Sequence, residues 1–220
     1  MTELDSRIAR GNMIGQQIRT WEVLNERILD VLETVARDQF VPTAFTNLAY
    51  SDTQIPLGHG QVMLEPKIQG RLLQSVDPVQ KDRVLEIGTG TGFLTACLSH
   101  LCAHVTSVEI LPGLYAAAEE NLARHGSTNC KLELGDAAIG WHQGGEYDVI
   151  VTTSSMPTLE HGFQQQLALG GRLFVIVGQP PIMEALLITR VDEDQWSTKS
   201  LFDCYAPPLI GATASTPFTL

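Results

Sequence analysis

The sequence has no run of about 18 apolar residues, so no segment reads as a membrane-spanning helix. Its first residues, Met1 to Met13, lack an apolar stretch and a small-residue cleavage pattern, and no signal peptide is expected. Basic residues are scarce. Fourteen Lys and Arg face 25 Asp and Glu, for a net charge of -11. Such a surface repels phosphate backbones and anionic lipid, which argues against nucleic-acid and membrane partners. A cytoplasmic address follows by elimination.

The four cysteines, Cys97, Cys102, Cys130 and Cys204, form no Cys-x-x-Cys pair and read as reduced thiols. Cys97, His100, Cys102 and His104 put four possible zinc ligands close together, but they straddle the end of a helix and the start of a strand. Compact zinc sites draw ligands from separated knuckles, so no metal site is expected. No lysine follows the glycine-rich segment, which excludes a P-loop, and no nucleophile elbow supports a hydrolase.

What is present is a globular composition: 220 residues, 44% hydrophobic and 18% charged. One domain over 1–220 is expected, with 1–80 a helical and loop extension and 81–220 the core. Leu4, Ile8, Ile14 and Ile18 recur at near-helical intervals, as do Ile28, Leu32 and Val35, then Ile68, Leu72, Leu73 and Val76. Val41 to Pro66 is turn-rich and lacks a clear period. From residue 83 short apolar runs (Arg83–Ile87, His104–Glu109, Cys130–Leu134, Tyr147–Thr152, Arg172–Val177) alternate with helical patterns. That alternation predicts an α/β fold, a doubly wound and mostly parallel sheet. Glu184–Arg190 and Trp196–Cys204 flank a polar turn and read as an antiparallel pair closing one edge, making seven strands.

The sharpest local feature is Val84-Leu85-Glu86-Ile87-Gly88-Thr89-Gly90-Thr91-Gly92-Phe93, a strand entering a glycine loop and then a helix. A dinucleotide loop wants Gly-x-Gly-x-x-Gly, and Phe93 breaks that pattern. The carboxylate of Glu86 just before the loop repels a pyrophosphate and attracts a cationic amine. S-adenosylmethionine, with an ammonium and a sulfonium, suits that layout. Two further acids stand at strand ends. Glu109 is placed to accept from ribose hydroxyls, and Asp136 from an adenine amino group. Three acids at successive strand ends fit a ligand bound outside those ends.

These residues resemble the protein-L-isoaspartate O-methyltransferases. The resemblance rests on Met13-Ile14-x-x-Gln17-Ile18, Phe40-Val41-Pro42, Ala49-Tyr50-x-Asp52, Ile55-Pro56-Leu57-Gly58-His59-Gly60-Gln61, the glycine loop, Gly135-Asp136, Gly140-Trp141 and Gly170-Gly171-Arg172-Leu173. It implies the fold of S-adenosylmethionine-dependent methyltransferases and methyl transfer to the free carboxylate of isoaspartyl residues in damaged proteins, with S-adenosylhomocysteine as product. It implies a cofactor site made by Glu86, Gly88, Thr89, Gly90, Gly92, Glu109, Ile110, Asp136, Ala137 and Thr152, with His59 and Gln61. It also implies a substrate wall of Gly60, Met63, Leu64, Glu65 and Pro66, in a monomer or homodimer.

The chain departs from the family at that wall. Thr-Ile-Ser-Gln-Pro is usual there, and this chain reads Val62-Met63-Leu64-Glu65-Pro66. The hydroxyl that holds the substrate carboxylate falls on Leu64. Losing a donor to a charged group costs about 1.5–3 kcal/mol. A Glu65 carboxylate in the pocket adds repulsion of up to about 4 kcal/mol. Cys204-Tyr205-Ala206-Pro207-Pro208-Leu209 also lacks the arginine of the family's C-terminal stretch. A different, less anionic acceptor and a catalytically silent binding protein therefore stay open as alternatives.

Overall fold

A computed structural model describes residues 2–212 of the chain. Helix α1 (Glu3–Met13) opens with a capping box, in which Thr2 and Asp5 each accept from the other's backbone N–H. The helix loosens into a π-helical turn, Ile14–Ile18, and tightens into a 3-10 turn, Arg19–Trp21. It is the π-helical turn that packs on α2 (Glu26–Thr34) and α3 (Pro66–Val76). Leu4 and Ile8 are accordingly 57% and 55% exposed, while Met13, Ile14 and Ile18 are buried. The near-helical recurrence of Leu4, Ile8, Ile14 and Ile18 therefore does not mark one buried face, because the helical pitch changes at Ile14.

The segment from Val41 to Pro66 carries a 3-10 stretch, Thr43–Leu48, and a hairpin of β1 (Ile55–Gly58) with β2 (Gln61–Met63). Strands of four and three residues are too short to show a period in sequence. His59 and Gly60 form the turn.

The expected α/β sheet is present. Its strands are β3 (Arg83–Ile87), β4 (His104–Glu109), β5 (Cys130–Leu134), β6 (Tyr147–Met156), β7 (Leu167–Gln179), β8 (Ile182–Asp192) and β9 (Gln195–Asp203). Their order is β5-β4-β3-β6-β7-β8-β9, parallel through β7 and antiparallel at β8 and β9. Helices α4 (Phe93–Leu101), α5 (Pro112–His125) and α6 (His161–Gln165) connect the strands. Val84, Leu85 and Ile87 of β3 are buried on both faces, as a central parallel strand requires. One apolar cluster joins the N-terminal helices to the sheet through Ile18, Leu72, Phe93 and Phe174. The strand order reverses at β3, which has β4 on one side and β6 on the other. Ligands of such sheets bind outside that switch point.

Among the described residues no helix is long and apolar enough to cross a membrane. No group of three or more His, Cys, Asp and Glu among them could hold a metal ion. Cys97 is buried in the core, and His100 instead meets His125, with 3.1 Å between their Nε2 atoms.

Candidate active site

Strand β3 delivers the chain into the glycine loop, and the loop folds across the end of β4. Gly88 N–H donates to the Val108 carbonyl at 2.9 Å, and Gly90 N–H to Glu109 Oε2 at 2.8 Å. Gly88 has φ of 91°, and a Cβ there would sit 2.3 Å from Thr153 Oγ1. Gly90 has φ of 58°, with Leu57 of the hairpin closing over it. Both positions need glycine for conformation and for room.

Glu86 ends fully buried beneath this loop. Its Oε2 accepts from Thr95 Oγ1 and, at 2.7 Å, from Ser107 Oγ. Its Oε1 is buried with no hydrogen-bond partner among the described residues. Burial pushes this carboxyl up to about 7, against the opposing pull of Thr95 and Ser107. Glu109 accepts from Gly90 N–H on one oxygen and from Ile110 and Leu111 N–H on the other. Asp136 lies on the turn after β5, where its Oδ1 accepts from Ala138 N–H at 2.9 Å. The Trp141 ring supports that turn, so close that a Cβ on Gly135 would sit 2.8 Å from it. Trp141 is therefore a core residue behind the site.

Between these acids and the hairpin lies a cavity of about 730 Å³, open solvent at its mouth included. That size suits a nucleoside-sized ligand. Of the expected cofactor residues, Glu86, Gly88, Thr89, Gly90, Glu109 and Ile110 line it, together with Asp136, Ala137 and Gln61. Of the residues expected at the substrate wall, Met63 and Leu64 also line it.

Six expected residues lie outside the lining. Gly92 caps α4 and packs on Leu122. Thr152 is buried in β6, its hydroxyl turned toward the Ser154 carbonyl. His59 and Gly60 are exposed at the hairpin tip. Pro66 is the buried first residue of α3. Glu65 caps α3 and turns to Gln54, whose Nε2 donates to it at 3.3 Å. The carboxylate that sequence set against an anionic substrate thus points away from the cavity.

Sequence reasoning missed several residues that the fold brings here. Thr153 and Ser154 line the cavity one and two positions beyond the threonine expected there. Leu209 and Ile210 cover it because the C-terminal segment runs back along β6: Leu209 N–H donates to the Ser155 carbonyl at 2.7 Å. Gln61 anchors the same segment by donating to the Pro208 carbonyl. Arg37, 1% exposed, stands behind the wall and donates to the carbonyls of Ala49 and Leu64 and to Gln69. No local pattern marks contacts made across such sequence separations.

Comparison with known proteins decides the family. The model of the protein-L-isoaspartate (D-aspartate) O-methyltransferase family matches residues 9–213. This chain belongs to that family. The isoaspartyl methyltransferase of Syntrophotalea carbinolica is 35% identical over 208 residues, 94% of this chain and 96% of its relative. That of Methanoculleus marisnigri is 36% identical, covering 92% and 91%. Among solved structures, a protein-L-isoaspartate O-methyltransferase superposes with a TM-score of 0.79 at 21% identity, covering 90% of this chain and 65% of that one. A Plasmodium falciparum protein described by the same activity, in complex with S-adenosyl-L-homocysteine, gives 0.76 at 19% identity, covering 92% and 97%. These structures share the fold. The family's enzymes are S-adenosylmethionine-dependent carboxyl methyltransferases, and this chain is a member.

Proposed function

We propose that this protein methylates the free carboxylate of isoaspartyl residues in proteins or peptides, using S-adenosylmethionine. The observation that carries the reading is the buried Oε1 of Glu86, unpartnered beside the cavity. A sealed carboxylate oxygen without a donor fits a ligand ammonium. The cradle at Gly88, where any side chain meets Thr153, fits a ligand seated directly on backbone. In this reading Glu109 serves the ribose hydroxyls and Asp136 the adenine amine, both lining the cavity.

When bound, the sulfonium supplies the methyl group and departs as a neutral thioether. The acceptor oxygen gains the methyl carbon and its charge is cancelled, so no proton moves. An isoaspartyl carboxyl is already ionised near neutrality. The chain's own work is alignment and exclusion of water. Leu57, Met63 and Leu64 on one side and Leu209 and Ile210 on the other supply apolar walls for it. The test is transfer of labelled methyl to an isoaspartyl peptide. Binding of S-adenosylhomocysteine without any transfer would overturn the proposal.

The altered wall makes a further expectation. Leu64→Ser restores the family's hydroxyl and is expected to raise kcat/KM on an isoaspartyl peptide about tenfold, the value of one hydrogen bond to a charged group. Adding Glu65→Gln is expected to change little more, since Glu65 faces Gln54. Steady-state kinetics of both variants decide this.

Glu86 makes the site pH-dependent. Its carboxyl sits near 7 in the ligand-free fold, and an ammonium beside it favours the ionised form. Affinity for S-adenosylhomocysteine is expected to rise with pH through about 7. It should weaken up to about tenfold between roughly pH 8 and pH 6 in calorimetry. The stability of the ligand-free fold is expected to follow the opposite trend. Its raised carboxyl holds a proton better than the unfolded chain, so Glu86's contribution is full at low pH and lost as pH rises through about 7. Glu86→Gln should flatten both profiles and weaken binding about tenfold at roughly pH 8.

A further inference from the structure

Gln69 lies on the first turns of α3 and lines the cavity together with Met63 and Leu64. It is 4% exposed. Its Oε1 accepts a hydrogen bond from Arg37 Nη1. A guanidinium only donates, so the amide cannot be turned the other way: oxygen faces Arg37 and Nε2 faces away from it. Among the described residues that Nε2 makes no hydrogen bond, although the rest of the side chain is buried. Nε2 is thus not sealed but keeps a small accessible surface where Gln69 lines the cavity, and a donor opening onto a cavity in this way is a recognition group that a ligand's acceptor can meet.

Its neighbours say what that acceptor is. Arg37 has no carboxylate within ion-pair distance among the described residues. Its three hydrogen bonds go to neutral oxygens, and its guanidinium carbon lies 5.0 Å from the centre of the Phe93 ring. A cation behind the wall, with no carboxylate at ion-pair distance and only the longer-range pull of Glu65, polarises the Gln69 amide and favours an anion in front of it. Its bond to the Leu64 carbonyl, 2.7 Å, ties the same cation to the wall residue that lacks its hydroxyl.

We infer that Gln69 is the donor that replaces the missing hydroxyl at position 64, giving an N–H from Nε2 to a carboxylate oxygen of the isoaspartyl acceptor, with Arg37 as the positioning residue that aims it. The inference rests on the isoaspartyl reading of this same site. It assigns specificity for the anionic acceptor to α3 as well as to the hairpin.

The test separates acceptor binding from folding and from cofactor binding. Gln69→Glu pairs with Arg37, so the wall keeps its contact and thermal stability is not expected to fall, yet the donor is gone and a negative charge faces the acceptor. KM for an isoaspartyl peptide is expected to rise about 30-fold or more, with S-adenosylhomocysteine affinity within about threefold of the unsubstituted chain. Gln69→Leu is expected to raise KM about tenfold, and Leu64→Ser added to it to recover most of that loss, a rescue that a merely structural role does not produce. Peptide affinity for the enzyme loaded with S-adenosylhomocysteine, read by calorimetry, should follow the same order. If the unsubstituted chain methylates the peptide and both single variants keep KM within about twofold, Gln69 has no such role and the inference is overturned alone. If the unsubstituted chain binds S-adenosylhomocysteine but neither methylates nor binds the peptide, the isoaspartyl reading falls and the inference with it.

Discussion

Gly88→Ala is expected to weaken S-adenosylhomocysteine binding about 100-fold and to lower stability by about 2–4 kcal/mol. Two costs combine. The residue sits at φ of 91°, where an L side chain is strained by about 1–2 kcal/mol. Its new Cβ would lie 2.3 Å from Thr153 Oγ1. Thr153 cannot swing aside freely. It is β-branched, and its hydroxyl is engaged with the carbonyls of Gly88, at 2.7 Å, and Ile87, at 3.2 Å. Overpacking of this kind costs about 1–3 kcal/mol, and relief moves the loop that lines the cavity. Gly113→Ala is the control. It lies in the first turn of α5 with no atom within 4 Å of a new Cβ, so neither quantity should fall. Calorimetry and urea unfolding of the two variants give the comparison; equal binding by Gly88→Ala would remove the glycine loop from the ligand site.

The part of the site readable in sequence is the part made by consecutive residues. Glu86 and its glycine loop stand at the end of one strand, and Glu109 and Asp136 at the ends of the next two. Short apolar runs, each ending at or next to an acid, with the first leading into the glycine loop and a helix, locate all three. The sheet was legible for the same reason, down to the antiparallel edge of β8 and β9.

What the sequence could not show is direction and long-range return. Glu65 and Leu64 are neighbours, yet Leu64 faces the cavity and Glu65 faces Gln54, because Pro66 starts a helix there and sets where each side chain goes. The C-terminal segment reads as a stretch that has lost an arginine. In the fold it is a wall, held by a backbone bond from Leu209 to Ser155. His59 sits in the motif most particular to the family, and the hairpin turn carries it out to solvent. Membership of a motif fixed neither the depth nor the facing of its residues.

Arg37 is the furthest from anything local pattern could flag, and its removal carries the second large effect. Arg37→Met is expected to destabilise the fold by about 3–4 kcal/mol, lowering the thermal midpoint by roughly 10 °C. The side chain is a cation at neutral pH: burial lowers its pKa, but only to about 9. A buried charge without a carboxylate partner costs several kcal/mol by itself, which Met relieves. Against that stand the oxygens of Ala49, Leu64 and Gln69, all buried and left with one fewer donor. An orphaned buried acceptor costs about 1–3 kcal/mol, so three of them outweigh the relief. Arg37→Lys tests the balance. It keeps a charge but cannot reach three oxygens with one ammonium, and the guanidinium contact over the Phe93 ring is lost. It should fall between the native chain and Arg37→Met in urea unfolding. A methionine variant as stable as the native chain would show that those three oxygens find other donors, and that the wall behind Leu64 does not depend on the guanidinium.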